Sequence, residues 1–142
     1  MINTLLIEDT LLFTSAAPGK YFESSVVCFK DSCYLILKKI SSTFRVDMDP
    51  TASYGFGSDS VAEGLKKIIE SSSSEEELKE TLLNLIGNNQ ACVVNYSDYK
   101  KTTLKGFLGK KTFSARQSAL KYISFTMVSK EEGKKIAEFY NF

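Results

Sequence analysis

The sequence predicts an α+β fold: one domain over residues 1–142, mainly an antiparallel β-sheet, with a central two-helix insertion and a C-terminal helix packed on the sheet. Three observations predict it. Two blocks of short, alternating apolar segments occupy residues 2–48 and 91–127. Between them the apolar period switches from two to about 3.6. A third helical stripe closes the chain. Strands grouped together and helices grouped together, rather than strict alternation, is the order expected of an antiparallel sheet covered by helices on one face.

The elements follow in order. Residues 2–14 read as one or two short strands, "INTLLIE" and "TLLFTS". "APGK" at 17–20 is a turn, with Pro18 fixing its own φ. A meander follows, in which "YFESSVVCF" and "CYLILKK" flank the polar turn "KDS". In "TFRVDM", Phe44, Val46 and Met48 alternate with Arg45 and Asp47, as in a half-buried strand. The loop "DPTASYGFGS" ends this block. Val61, Leu65, Ile68 and Ile69, then Leu78, Leu82, Leu85 and Ile86, form two one-sided helical stripes. Ser60 with Glu63, and Ser74 with Glu77, have the spacing of capping boxes, and Gly87 with Asn88 and Asn89 suits a left-handed helix end. "ACVVNY" reads as a buried strand. "KTTLKGFL" and "TFSARQS" form a hairpin about Gly109, and "LKYISFTMV" alternates again. Ser129 and Glu132 give a third capping box, opening a helix with Ile136, Phe139 and Tyr140 on one face.

Composition narrows the functional class. The chain is 43% hydrophobic and 25% charged, and no apolar run approaches the roughly 20 residues a membrane span needs. The start "MINTLLIEDTLLF" lacks the pattern of a signal peptide, so a cytoplasmic protein is expected. Three cysteines, Cys28, Cys33 and Cys92, and no histidine leave a zinc site short of ligands, and no metal or cofactor is expected. Cys28 and Cys33 are symmetric about Lys30 and Asp31, so a hairpin there sets them opposite one another. A disulfide between them is geometrically open, although a reducing compartment favours free thiols.

The stretch "GFGSDS" at 55–60 precedes a helix, where phosphates are often held. It fails as a nucleotide loop. Ser60 stands where a dinucleotide fingerprint needs its third glycine, no Lys-Ser/Thr follows, and Asp59 would repel an anion. Serine or cysteine nucleophiles lack a histidine base. Asp47 and Asp49 could serve a small carboxylate enzyme. The acids that open the second helix are sufficiently explained by the helix dipole. A non-enzymatic binder is the expected class, with a protein as its partner and no membrane.

Charge is polarised although the formal net charge is only +1. Residues 58–80 carry a local −4 and residues 98–121 a local +6. Such surfaces steer association with partners of opposite charge. One candidate surface is acidic: Asp59, Glu63, Glu70, Glu75, Glu76, Glu77 and Glu80, with the loop aromatics Tyr54 and Phe56 beside them. The alternative is a basic hairpin carrying Lys100, Lys101, Lys105, Lys110 and Lys111. With Tyr96, Tyr99, Phe107 and Phe113 interleaved, the hairpin could also bind single-stranded RNA or DNA, lysines on phosphates and rings on bases.

The size, the lack of catalytic motifs, the sheet-then-helices order and the closing "KKIAEFYNF" helix resemble the small immunity proteins of bacterial contact-dependent growth inhibition systems. The resemblance is architectural and rests on no diagnostic motif, so it assigns no residue a role. It implies a cytoplasmic antitoxin-type inhibitor that binds and neutralises a toxin domain, often a nuclease.

Overall fold

The computed structural model describes residues 2–41, 54, 56, 59–87, 92–107 and 109–142. In chain order the elements are β1 (Leu5–Thr14), β2 (Tyr21–Cys28), β3 (Ser32–Ser41), α1 (Val61–Ser71), α2 (Glu75–Ile86), β4 (Val93–Asn95), β5 (Lys101–Phe107), β6 (Lys110–Ser118), β7 (Lys121–Met127) and α3 (Lys130–Tyr140). The fold class is the expected α+β. The strand expected at Phe44, Val46 and Met48, the pair Asp47 and Asp49, Gly55, Gly57, Ser58, Asn88 and Asn89 lie outside the described residues.

All strand pairs are antiparallel, in the order β4-β3-β2-β1-β7-β6-β5. The sheet curls into a half-barrel. Two meanders, β1-β2-β3 and β5-β6-β7, are joined where β1 pairs with β7 from Thr10↔Met127 to Thr14↔Ile123. The sequence left open whether residues 2–14 make one strand or two. They make one, with a register shift between Ile7 and Thr10. A second shift lies between Glu23 and Ser24. Bulges of this kind bend and twist a sheet, and the curl is the result. Among the described residues of the segment read as the strand "ACVVNY", Val93–Asn95 are strand, and Tyr96–Asp98 form a 3-10 turn. The β5–β6 turn uses Gly109 at φ 81°, a conformation that favours glycine.

Alternation along the strands builds two cores rather than one. Val26, Cys28, Cys33 and Leu35 face inward with Ile7, Leu12, Phe113, Phe125, Met127 and Ile136 of α3. Val27, Phe29, Tyr34 and Ile36 face outward against Val61 and Leu65 of α1 and Leu78 and Leu82 of α2. The helices therefore cover both faces, not the single face expected: α3 lies on the inner face and α1 and α2 on the outer. Each fully buried leucine or phenylalanine contributes about 1.5–3 kcal/mol by leaving water. Residues 26 and 27 of one strand thus serve different layers.

The helix starts follow their sequence signatures. Ser60, Ser74 and Ser129 each accept the backbone N–H three residues on, from Glu63, Glu77 and Glu132. Gly87 ends α2 at φ 69°, but its ψ of −134° is not the left-handed helical value expected. Asn141 takes that conformation at the end of α3. Lys30 anchors the same end: its ammonium donates to the Phe139 carbonyl and sits 4.1 Å over the Phe139 ring centroid.

Candidate functional site

The sequence alone leaves Tyr54 and Phe56 either tucked onto the core or offered to a partner. Both are half-buried and pack on the outer core cluster. The Tyr54 hydroxyl donates to the Leu37 carbonyl at 3.0 Å, and the two rings lie 5.6 Å apart. Phe56 closes over Gly64 of α1, where a methyl group would come within 2.5 Å of the ring. Asp59 pairs with Lys67 at 2.6 Å and donates its N–H to the Phe56 carbonyl. This stretch seats the start of α1 on the sheet.

The carboxylates of α1 and α2 do not gather on one surface. Glu70 lines a cleft of about 470 Å³ between α1, β1 and the start of α3, with Glu8, Asp9, Lys66, Glu131 and Lys135. Lys66 pairs with Glu8 there at 2.7 Å. Glu75 instead stands near Tyr34, Lys79 and Asp31. The Ser32 hydroxyl, followed by Lys79 at 3.1 Å, holds the Asp31 carboxyl below its ordinary range. Glu77 accepts the Ser73 hydroxyl at its own helix start. Glu63, Glu76 and Glu80 are exposed.

The basic hairpin divides by register. Lys101, Thr103 and Lys105 of β5 share the outer face with Arg116, Ser114 and Thr112 of β6. Lys111 pairs with Gly106 on the inner face, where its stem approaches Gly133 of α3. Lys100 and Lys110 are exposed at the two ends of the hairpin. Of the interleaved aromatics, Tyr96, Tyr99 and Phe113 turn inward. Phe113 is 2% exposed and stacks on Phe125 and Tyr140, while Tyr96 and Tyr99 pack on the inner core.

A different surface emerges from the register. The outer core cluster holds no residue of β5, β6 or β7. Across this half of the outer face, which none of the described helices covers, run Phe13 of β1, Ser124 of β7, Ser114 of β6 and Thr103 of β5, each opposite the next, Ser124 itself buried. A second row holds Leu11, Thr126, Thr112 and Lys105. Phe13 and Tyr21 are 38% and 45% exposed, with ring centroids 6.4 Å apart. The Arg116 guanidinium lies 4.8 Å over the Tyr122 ring, and the Thr112 and Thr126 hydroxyls bond at 2.8 Å. The strip is hydroxyl-rich and aromatic, with cations at its β5 end. Reading Phe13, Tyr21, Arg116 and Tyr122 from sequence requires the strand pairing, and residues grouped by chain proximity miss it.

The groups with the most perturbed chemistry are sealed inside. Cys28 and Cys33 are Cα partners across the β2–β3 hairpin and are free thiols, as is Cys92. Burial pushes the Cys33 thiol up to about 12 and Cys92 up to about 11, and holds Cys28 well above its ordinary value. Tyr140 donates to the Phe29 carbonyl at 2.8 Å and bonds to the Tyr96 hydroxyl; burial raises both phenols. Such thiols are poor nucleophiles at neutral pH. Among the described residues no group of three or more Cys, Asp or Glu could hold a metal ion, and no helix is long and apolar enough to cross a membrane. The chain matches no protein-family model, no curated protein and no solved structure.

Proposed function

We propose that this chain is a non-enzymatic protein-binding module, an immunity or antitoxin-type inhibitor that binds and neutralises a toxin domain in the cytoplasm through charge-complementary faces. The observation that supports this reading is the outer strip across β1, β7, β6 and β5, with Phe13 and the neighbouring Tyr21 exposed at its β1 end and Lys101, Lys105 and Arg116 exposed toward its β5 end. Exposed aromatic rings and arginine on one surface are the residue types that interfaces favour. Cations there favour an acidic partner surface. The acidic surface of α1 and α2 supports the reading less well. Its carboxylates diverge, and Lys66, Lys67 and Lys79 already pair with Glu8, Asp59 and Asp31. A nuclease toxin on this reading is met at an acidic patch rather than at its nucleic-acid groove.

Single-stranded nucleic acid is the weaker alternative, because Tyr96, Tyr99 and Phe113 are spent on the inner core rather than presented for stacking. A carboxylate enzyme would rely on Asp47 and Asp49, which lie outside the described residues. The test is affinity capture from the native organism with wild type and with K101E/R116E. The expected result is one stoichiometric partner, with an association rate that falls with salt and drops further in the variant. Capture that survives charge reversal on both the strip and the helices overturns the reading. So does competition by oligonucleotides.

A further inference from the structure

We propose that the outer edge of β5 accepts an extended segment of a protein partner in which acidic side chains alternate with apolar ones; this rests on the protein-binding reading above. The two ends of the sheet are built differently. β4 spans only Val93–Asn95, pairs with Ser32–Tyr34 of β3 and runs into the Tyr96–Asp98 turn, and beyond it the Leu37 carbonyl of β3 is taken by the Tyr54 hydroxyl. β5 spans Lys101–Phe107 and pairs with β6 in unbroken register from Lys101↔Arg116 to Phe107↔Lys110. The pairs β1–β2, β2–β3 and β6–β7 all carry register shifts, and β5–β6 does not. Among the described residues no strand pairs with the far side of β5. Edge strands are normally blunted by shortness, proline, a bulge or charged side chains; β5 has only the last, Lys101 and Lys105, which repel a like-charged strand and admit an acidic one.

Its side chains choose the occupant. On the outer face Lys101, Thr103 and Lys105 would lie beside alternate residues of an added strand, and opposite charges there are favourable. On the inner face Leu104 is half-buried against the core and Gly106 leaves open space, where an added methyl group would come no closer than 3.9 Å to the Lys110 carbonyl. That side takes an apolar residue. A second copy is disfavoured, because antiparallel pairing about Thr103 would set Lys101 against Lys105 of the other chain. Nucleic acid has no peptide backbone to complete the ladder.

The test uses the full chain and a short synthetic peptide alternating glutamate with valine, against one of the same composition with its glutamates grouped at one end. The expected result is slowed hydrogen exchange at β5 amides with the alternating peptide only. Binding should weaken about tenfold in K101E/K105E, with a lysine–valine peptide preferred instead. Equal binding by the grouped peptide, protection elsewhere, or oligothymidylate protecting the same amides overturns the proposal. Self-association through β5 also overturns it. A captured partner that leaves β5 unprotected overturns the edge and spares the protein-binding reading. Peptide binding at β5 with no cellular partner does the reverse.

Discussion

Glu132, in the first turn of α3, accepts the backbone N–H of Glu8 in the bulge of β1. Its other carboxylate oxygen takes the Asp9 N–H at 3.3 Å. The register explains why. β7 pairs with β1 only from Thr10 onward, and the chain then turns into α3. The β1 amides beyond that point lose a strand neighbour, and a helix carboxylate replaces it. The third capping box is therefore only half a box: Ser129 caps the helix, while Glu132 serves the sheet.

Removing that carboxylate leaves two N–H groups unpaired at a site where Glu132 is 8% exposed. Hydrogen bonds to a carboxylate are stronger than neutral ones, and orphaned buried donors are costly. E132A is expected to lose about 2–3 kcal/mol. E132Q keeps the shape but offers one acceptor, and should lose about half as much. Urea midpoints at unchanged slope measure both. A loss below about 0.5 kcal/mol in E132A would show that water satisfies the bulge.

The Tyr96–Tyr140 pair makes an ordered prediction. Tyr140 donates to the Phe29 carbonyl and bonds to Tyr96, so Y140F leaves two buried partners without it. Y96F leaves Tyr140 still bonded to Phe29. Y140F should therefore be the more damaging, by about 1 kcal/mol. A double-mutant cycle measures the coupling. Equal losses would mean that the Phe29 carbonyl finds another donor.

What the sequence made legible was local. Ser60, Ser74 and Ser129 cap helices within three residues of themselves, and Gly109 turns its own hairpin. The pairing of Leu12 with Phe125 joins residues far apart in the chain, and no local pattern encodes it. Bulges hid the rest. Leu6 and Leu11 share the outer face although their spacing is odd, because the β1 bulge between them shifts the alternation. Lys110 and Lys111 are neighbours in sequence and point to opposite faces. Charge runs read along the chain therefore merged what register separates. They also missed Phe13 beside Tyr21.

Buried thiols and phenols tie stability to alkaline pH. Cys33 and Cys92 ionise near 12 and 11 in the folded chain, against an ordinary 9.0, and Cys28, Tyr96 and Tyr140 are raised too. Between the ordinary and folded values the folded state holds more protons than the unfolded state, so stability falls as pH rises. It should be level below about pH 8 and decline above about pH 9, by up to about 1.4 kcal/mol per pH unit for each group. Urea unfolding at neutral pH and on the alkaline side measures the decline, and C33A should reduce its slope. A flat profile would show that these groups are open to solvent.

Gly64 and Phe56 pose two opposed effects at one site. Alanine is the better helix former by up to about 1 kcal/mol, so G64A in an open helix would stabilise. Here the new methyl would fall 2.5 Å from the Phe56 ring, at Cγ rather than at a flexible tip. Displacing a packed ring typically costs about 1–3 kcal/mol, which outweighs the propensity gain. G64A should be net destabilising in the wild-type background. In F56A the obstacle is gone, and the same substitution should turn stabilising. The sign change in a double-mutant cycle is the readout. If G64A stabilises both backgrounds, Phe56 does not rest on α1, and the aromatic loop regains its standing as a surface offered to a partner.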